Sequence, residues 1–259
     1  MSRLPVMFIG HGSPMYALHP NRYTQSWADS VINLPKPFAI LMISAHWYTR
    51  GTRLGAMPTP QTIHDFRGFP DELYAVKYPA PGSPKLAKQI FDLLHPTHPT
   101  VTLEESEWGL DHGAWSILKY MYPLADIPVV QMSIDATLGH SQHVAIGQTL
   151  RPLRDQGILI ISSGNIVHNL GQVVQGQDVP PATWASTFET FFKEHVASGD
   201  FSPLINWQDT QFAQLAIPTP DHYLPALYTF GLKHPEEQLQ ILTEGIEMST
   251  ISMLSFAFG

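Results

Sequence analysis

The chain has 259 residues, 44% of them hydrophobic, enough for one sizeable core, and a formal net charge of −8 from 14 basic and 22 acidic residues. That balance offers no basic footprint for nucleic acid or anionic lipid, and no apolar run approaches the roughly 20 residues of a membrane span. Cysteine is absent, which removes disulfides, thiolate ligands and a cysteine nucleophile, so any metal must be held by imidazole, carboxylate or water.

Val6 to Ile9 reads as a short buried strand, too short for the apolar part of a signal peptide, and a soluble cytoplasmic protein without nucleic-acid or membrane partners is expected. Tyr23 to Ile32 reads as an amphipathic helix and Phe38 to Ser44 as a central apolar strand. From Thr49 to Pro84 the chain is rich in proline, glycine and aromatics, the texture of a long ordered loop rather than a linker. Pro84 to Leu94 has the pattern of a helix opened by proline, Thr100 to Leu103 of a strand, Ala114 to Tyr122 of a helix and Pro128 to Ser133 of another strand. His140 to Arg154 is expected as a helix disturbed by Pro152 in its last turn, followed by an unbroken apolar strand from Gly157 to Ser162. Thr183 to Val196 and Pro220 to Phe230 read as helices, and Gln238 to Phe258 as two strands around a Glu-Gly turn. No compositional break or repeat divides residues 1–259, so one α/β domain is expected.

Four apolar runs lead into histidine-bearing turns, at His11, His46, His168 and His222. An imidazole just past a buried strand is held rigidly and still reaches an open rim, so the four together point to a metal site at a sheet edge. Singly, each has a plainer reading, as a strand cap, a packed core residue or a solvated helix start. His64 and His112 each adjoin an aspartate, which suits orienting or acid-base work better than ligation. His140 and His143 could share a helix face, whereas His19, His95, His98, His195 and His234 read as surface residues. Serines near histidines raise a Ser-His-Asp hydrolase, but no G-x-S-x-G elbow, H-E-x-x-H, dinucleotide loop or Walker loop is present.

The strings GHGSPM (10–15), SAHW (44–47), TIHDF (62–66), GFP (68–70), YPAPGSP (78–84), WGLDHGAW (108–115), PVVQMSID (128–135), SSGNIVHNL (162–170), TPDHYLP (219–225) and EGIEMSTISML (244–254) span nearly the whole chain. Together they resemble the DODA-type extradiol ring-cleaving dioxygenases of the LigB-like superfamily. The resemblance implies a single catalytic α/β domain with a central, mostly parallel or mixed sheet flanked by helices, and a non-haem metal at the strand ends. It implies His11, His46 and His222 as metal ligands, His168 as a fourth ligand or the acid-base group, and His112 as a second active-site histidine. The superfamily's other branch uses a glutamate where His222 stands here, which keeps Glu247 and Asp221 open as carboxylate ligands.

The implied reaction inserts both atoms of O2 into a catechol such as L-DOPA, with Fe(II) as the working metal and His168 and His112 moving protons. An all-histidine site suits Zn(II) equally, so Zn(II) can occupy it in purified protein. Trp47, Tyr48, Phe66, Phe69 and Tyr74 are candidates for walls around the ring, or else for a small aromatic core, and Arg50 and Arg67 are guesses for a substrate carboxylate. Two alternatives are a zinc-dependent hydrolase on the same scaffold and a binding protein without catalysis, the second opposed by the complete set of histidines.

Overall fold

The computed structural model describes residues 3–176 and 179–259. Its strands are β1 (Val6–Gly10), β2 (Ala39–Thr49), β3 (Arg53–Gly55), β4 (Thr102–Glu104), β5 (Val129–Asp135), β6 (Ile158–Gly164), β7 (Leu239–Thr243), β8 (Ile246–Glu247), β9 (Ile251–Ser252) and β10 (Ser255–Phe258). Eight of them form one mixed sheet in the order β4-β3-β5-β2-β6-β1-β10-β7, while β8 and β9 make a separate hairpin. The central strands β5, β2, β6 and β1 are parallel, and β10 and β7 add antiparallel strands at one edge.

The helices are α1 (Arg22–Asp29), α2 (Asp71–Tyr74), α3 (Pro84–Leu94), α4 (His112–Met121), α5 (His140–Leu150), α6 (Thr183–Ser198), α7 (Ser202–Ile205), α8 (Ala213–Ala216) and α9 (Leu224–Leu232). They cover both faces of the sheet. Ile40 and Met42 of β2 join a core with Trp27 of α1 and Trp115 of α4. The alternate residues Leu41 and Ile43 join a second core with Ile90 of α3, Ile146 of α5 and Leu227 of α9. Burial on both faces is why these strands are unbroken apolar runs rather than alternating ones. Helix starts are set by local chemistry: the Asn21 side chain accepts the Tyr23 and Thr24 amides at 2.9 and 3.1 Å, and Asp111 caps α4 through the Ala114 amide at 3.2 Å.

Several boundaries differ from the sequence reading. The predicted loop from Thr49 to Pro84 contains β3 and α2, and the tail forms four short strands rather than two. The helix predicted for His140 to Arg154 ends at Leu150 and tightens into a 3-10 turn over Arg151–Gln156, where Pro152 cannot donate and Gly157, at φ +75°, closes the turn. The predicted helix from Pro220 splits into a 3-10 turn, Pro220–His222, and α9. Among the described residues, no helix is long and apolar enough to cross a membrane.

Candidate active site

β1 and β6 end side by side, with Gly10 paired to Gly164, and β2 parts from β6 beside them after Ser44 pairs with Ser163. This carboxyl edge is where open α/β sheets receive ligands. His11 follows β1 directly. His46 lies inside β2, which continues past it, contrary to the expected strand end at Ser44. Between Ile43 and Tyr48 the register with β5 advances only from Met132 to Ile134, and the resulting bulge re-aims the side chains of Ser44–Trp47. His222 arrives from the turn before α9. Its carbonyl accepts the Asn165 amide at 2.9 Å and lies so near Gly164 that a Cβ there would approach it to 2.1 Å. A Cβ on Gly113 would likewise stand 2.6 Å from Ser44 Oγ and 2.9 Å from the His46 ring. Close approach, not backbone freedom, demands glycine at both positions.

Ligand nitrogens of His11, His46 and His222 all lie within 4.8 Å of one another. Their hydrogen bonds define which nitrogen faces inward. The Ser163 hydroxyl donates to the Gly113 carbonyl at 2.6 Å and so accepts His11 Nδ1–H at 3.0 Å. The Asp221 carboxylate accepts His222 Nδ1–H. Asp65 Oδ2 lies 3.2 Å from His46 Nδ1 and 2.9 Å from His112 Nδ1, while its Oδ1 accepts the His112 amide at 2.9 Å. With Nδ1 a donor in His11 and His222, Nε2 of each carries a lone pair, and the Asp65 carboxylate beside His46 Nδ1 favours the same tautomer there. His11 Nε2 and His46 Nε2 then face each other at 3.0 Å as two acceptors, and His222 Nε2 is buried without a partner. A second proton on a ring is disfavoured, because burial, reinforced by the neighbouring imidazoles, holds His11 and His46 well below the usual histidine range. A shared cation satisfies all three nitrogens, so the donor set fits a metal ion.

His168 stands apart from that trio. Its ring stacks on His222 at 3.5 Å and 6°, its amide donates to the Ala216 carbonyl at 2.9 Å, and its backbone bridges Ile251. Burial, then the nearby His222, pushes it down to about 3, so the ring is neutral at ordinary pH. The four histidines and His112 line one cavity of about 670 Å³, together with Asp65, Phe66, Phe69, Leu170, Val173, Met248 and Ile251.

Other expectations sort differently. Phe66 and Phe69 are walls, but Trp47 stacks on Trp108 at 5.7 Å, Tyr74 packs behind Phe66 at 5.3 Å, and Tyr48 lies outside the lining. Glu247, open as a ligand from sequence, instead accepts the Tyr23 hydroxyl at 2.6 Å and faces Arg22 at 3.8 Å; Asp221 supports His222 from behind. His64 bonds the Val76 carbonyl at 3.1 Å and packs on Trp115, a structural role. His143 is fully buried against the Tyr228 hydroxyl, whereas His140 bonds the Ile205 carbonyl, so the pair makes no joint site. His19 and His95 are exposed as expected; His98, His195 and His234 are half-buried. Arg50 and Arg67 are exposed and lie outside the lining. Sequence reasoning missed Asp65 as the partner of His112 and Ser163 as the partner of His11. The His64-Asp65 dipeptide was the signal for the first, but the carboxylate turns away from its neighbour to a histidine 47 residues on.

The chain is 48% identical to the 4,5-DOPA dioxygenase extradiol of Escherichia coli K12, over 100% of this chain and 96% of that one. It is 36% identical to the protein of the same name from Beta vulgaris, over 97% and 95%. A crystal structure of an uncharacterized Escherichia coli K12 protein superposes with a TM-score of 0.87 at 44% identity, covering 99% of this chain and 100% of that one. Residues 5–259 match the family described as the catalytic LigB subunit of aromatic ring-opening dioxygenase. By this family match and these identities, the chain belongs to the LigB family of metal-dependent aromatic ring-opening dioxygenases, on its extradiol ring-cleaving side.

Proposed function

We propose that His11, His46 and His222 hold Fe(II), that His168 and His112 move the protons, and that the substrate is a catechol such as L-DOPA, opened beside its diol. The observation that carries this reading is the inward convergence of the three rings, with Nδ1 of His11 and His222 hydrogen-bonded to Ser163 and Asp221 and Nδ1 of His46 lying 3.2 Å from Asp65. Ferrous iron in that position would stabilise the phenolate oxygens of a chelated diol and relay electron density from ring to O2, which redox-inert Zn(II) does not do.

The remaining chemistry belongs to the chain. Neutral His168, facing the cavity beside His222, accepts a proton from a diol hydroxyl and returns it as the ring opens. Asp65 fixes the His112 ring by Nδ1, leaving Nε2 to hydrogen-bond the reacting oxygens. Phe66 and Phe69 supply aromatic faces for the ring and exclude water around it. The relatives named above are dioxygenases, and no observation favours the zinc hydrolase, so that reading is set aside.

The test is oxygen uptake by metal-stripped protein reloaded anaerobically with Fe(II), then mixed with L-DOPA or catechol while near-visible absorbance is followed. Stoichiometric uptake with a yellow ring-opened product supports the proposal. No uptake at full iron occupancy would overturn it.

A further inference from the structure

Beyond its histidines the cavity offers a substrate apolar walls and one lining carboxylate, Asp65, and this bears on which catechols it admits. Asp65 lines it and only accepts hydrogen bonds, from the His112 ring and amide, as an ionised carboxylate does. Asp221 stands behind His222 in the same role. Among the described residues the lining contains no lysine or arginine. Arg67 is exposed outside it, and Arg22 is engaged by the Tyr23 hydroxyl and Glu247.

The apolar wall is held in place. Met248 and Ser249 have φ values of +48° and +70°, in a turn closed by the Thr250 amide on the Glu247 carbonyl at 3.2 Å. Residues other than glycine rarely adopt such values, and they persist only when neighbours enforce them. Here the Met248 carbonyl accepts the Val174 amide at 3.1 Å and the Ser249 carbonyl accepts the Ala182 amide at 2.9 Å. The hairpin thereby fixes Met248 and Ile251 in the lining next to Leu170 and Val173. Among the described lining residues, a negatively charged ring substituent finds no lysine or arginine to pair with. The charge of the diol, and whatever neutralises it, is common to every catechol, so discrimination falls on the substituent.

We infer that this cavity selects catechols whose ring substituent carries no net negative charge, admitting alkyl and zwitterionic side chains and disfavouring carboxylate ones. The inference rests on the dioxygenase reading above. It is tested with 4-propylcatechol, L-DOPA and 3-(3,4-dihydroxyphenyl)propionate, with catechol as reference. Each is titrated calorimetrically into anaerobic Fe(II)-loaded protein and then assayed for oxygen uptake. The propionate should bind and turn over about tenfold less well than either net-neutral compound, the scale expected for one unpaired charge in a cavity whose lining carboxylate is of the same sign. Leu170→Arg, at a position 67% exposed on the cavity lining, should narrow that ratio about threefold or more. A propionate within twofold of propylcatechol in both assays, or a ratio unmoved by Leu170→Arg while catechol turnover persists, would overturn the inference. Failure of catechol itself to bind or to consume oxygen would remove the dioxygenase reading and this inference with it.

Discussion

Replacing Gly164 by alanine perturbs the site without touching any of its side chains. A Cβ at residue 164 would lie 2.1 Å from the His222 carbonyl oxygen, and real Cβ atoms essentially never come nearer than 3.0 Å, so β6 and the His222 turn must part by roughly an ångström. Neither side yields easily. β6 is paired on both flanks, and the same carbonyl holds the Asn165 amide at 2.9 Å. The imidazole of His222 therefore shifts relative to His11 and His46, and a misplacement of that size costs about 10²-fold in turnover, with overpacking costing about 1–3 kcal/mol of stability. Circular dichroism melts would confirm folding, chelator competition would give metal affinity, and oxygen uptake at saturating Fe(II) would give turnover. Gly139→Ala, where the nearest atom to a new Cβ is a flexible glutamine oxygen at 3.6 Å, serves as the control outside the site. A folded Gly164→Ala protein with metal affinity and turnover within twofold of the parent would refute the placement of His222 by β6.

His168→Ala should retain its metal by elemental analysis while turnover falls by about 10²–10⁴-fold; loss of metal instead would make His168 a ligand. Asp65→Ala frees the rings of His46 and His112, and metal affinity measured by chelator competition should fall about 10–100-fold. Protein loaded with Zn(II) should bind catechol calorimetrically yet consume no oxygen, and oxygen uptake with Zn(II) alone would contradict the redox role assigned to the metal. Metal-free protein should lose stability as pH falls from about 6.5 to 4. His143, pushed down to about 4 by burial and then His140, stays neutral when folded but binds a proton when unfolded, which alone contributes of order 3 kcal/mol that disappears across this window. His11 and His46, also depressed, act in the same direction, whereas Asp111, pushed up to about 7 chiefly by burial, opposes them between about 4 and 7. Urea unfolding at pH 7.5 and 5 checks the sum, and equal midpoints would contradict it.

The parallel strands were legible because burial on both faces leaves an unbroken apolar run, as in Ile158 to Ile161, whose predicted start and end fall within two residues of β6. His11 and His168 were legible for the same reason, as polar breaks after such runs. His46 was located by its histidine, but its setting was not: a bulge depends on register with β5, a relation between segments that neither encodes alone. Asp65 shows the same limit. Its bonds to His112 exist only once the 62–70 segment folds over α4, while adjacency in sequence pointed to His64. The aromatics show it again: the same bulge re-aims Ser44–Trp47, so that His46 enters the cavity while Trp47 stacks on Trp108.

The most direct measurement is the origin of the oxygen atoms in the product. Fe(II)-loaded protein would react with L-DOPA or catechol under isotopically heavy O2, with rapid quenching and mass spectrometry before carbonyl exchange. Ring cleavage by a dioxygenase requires both heavy atoms in one ring-opened molecule, one in the new carboxylate and one in the aldehyde. A product with one heavy atom or none, its remaining oxygen drawn from water, would contradict the proposed reaction.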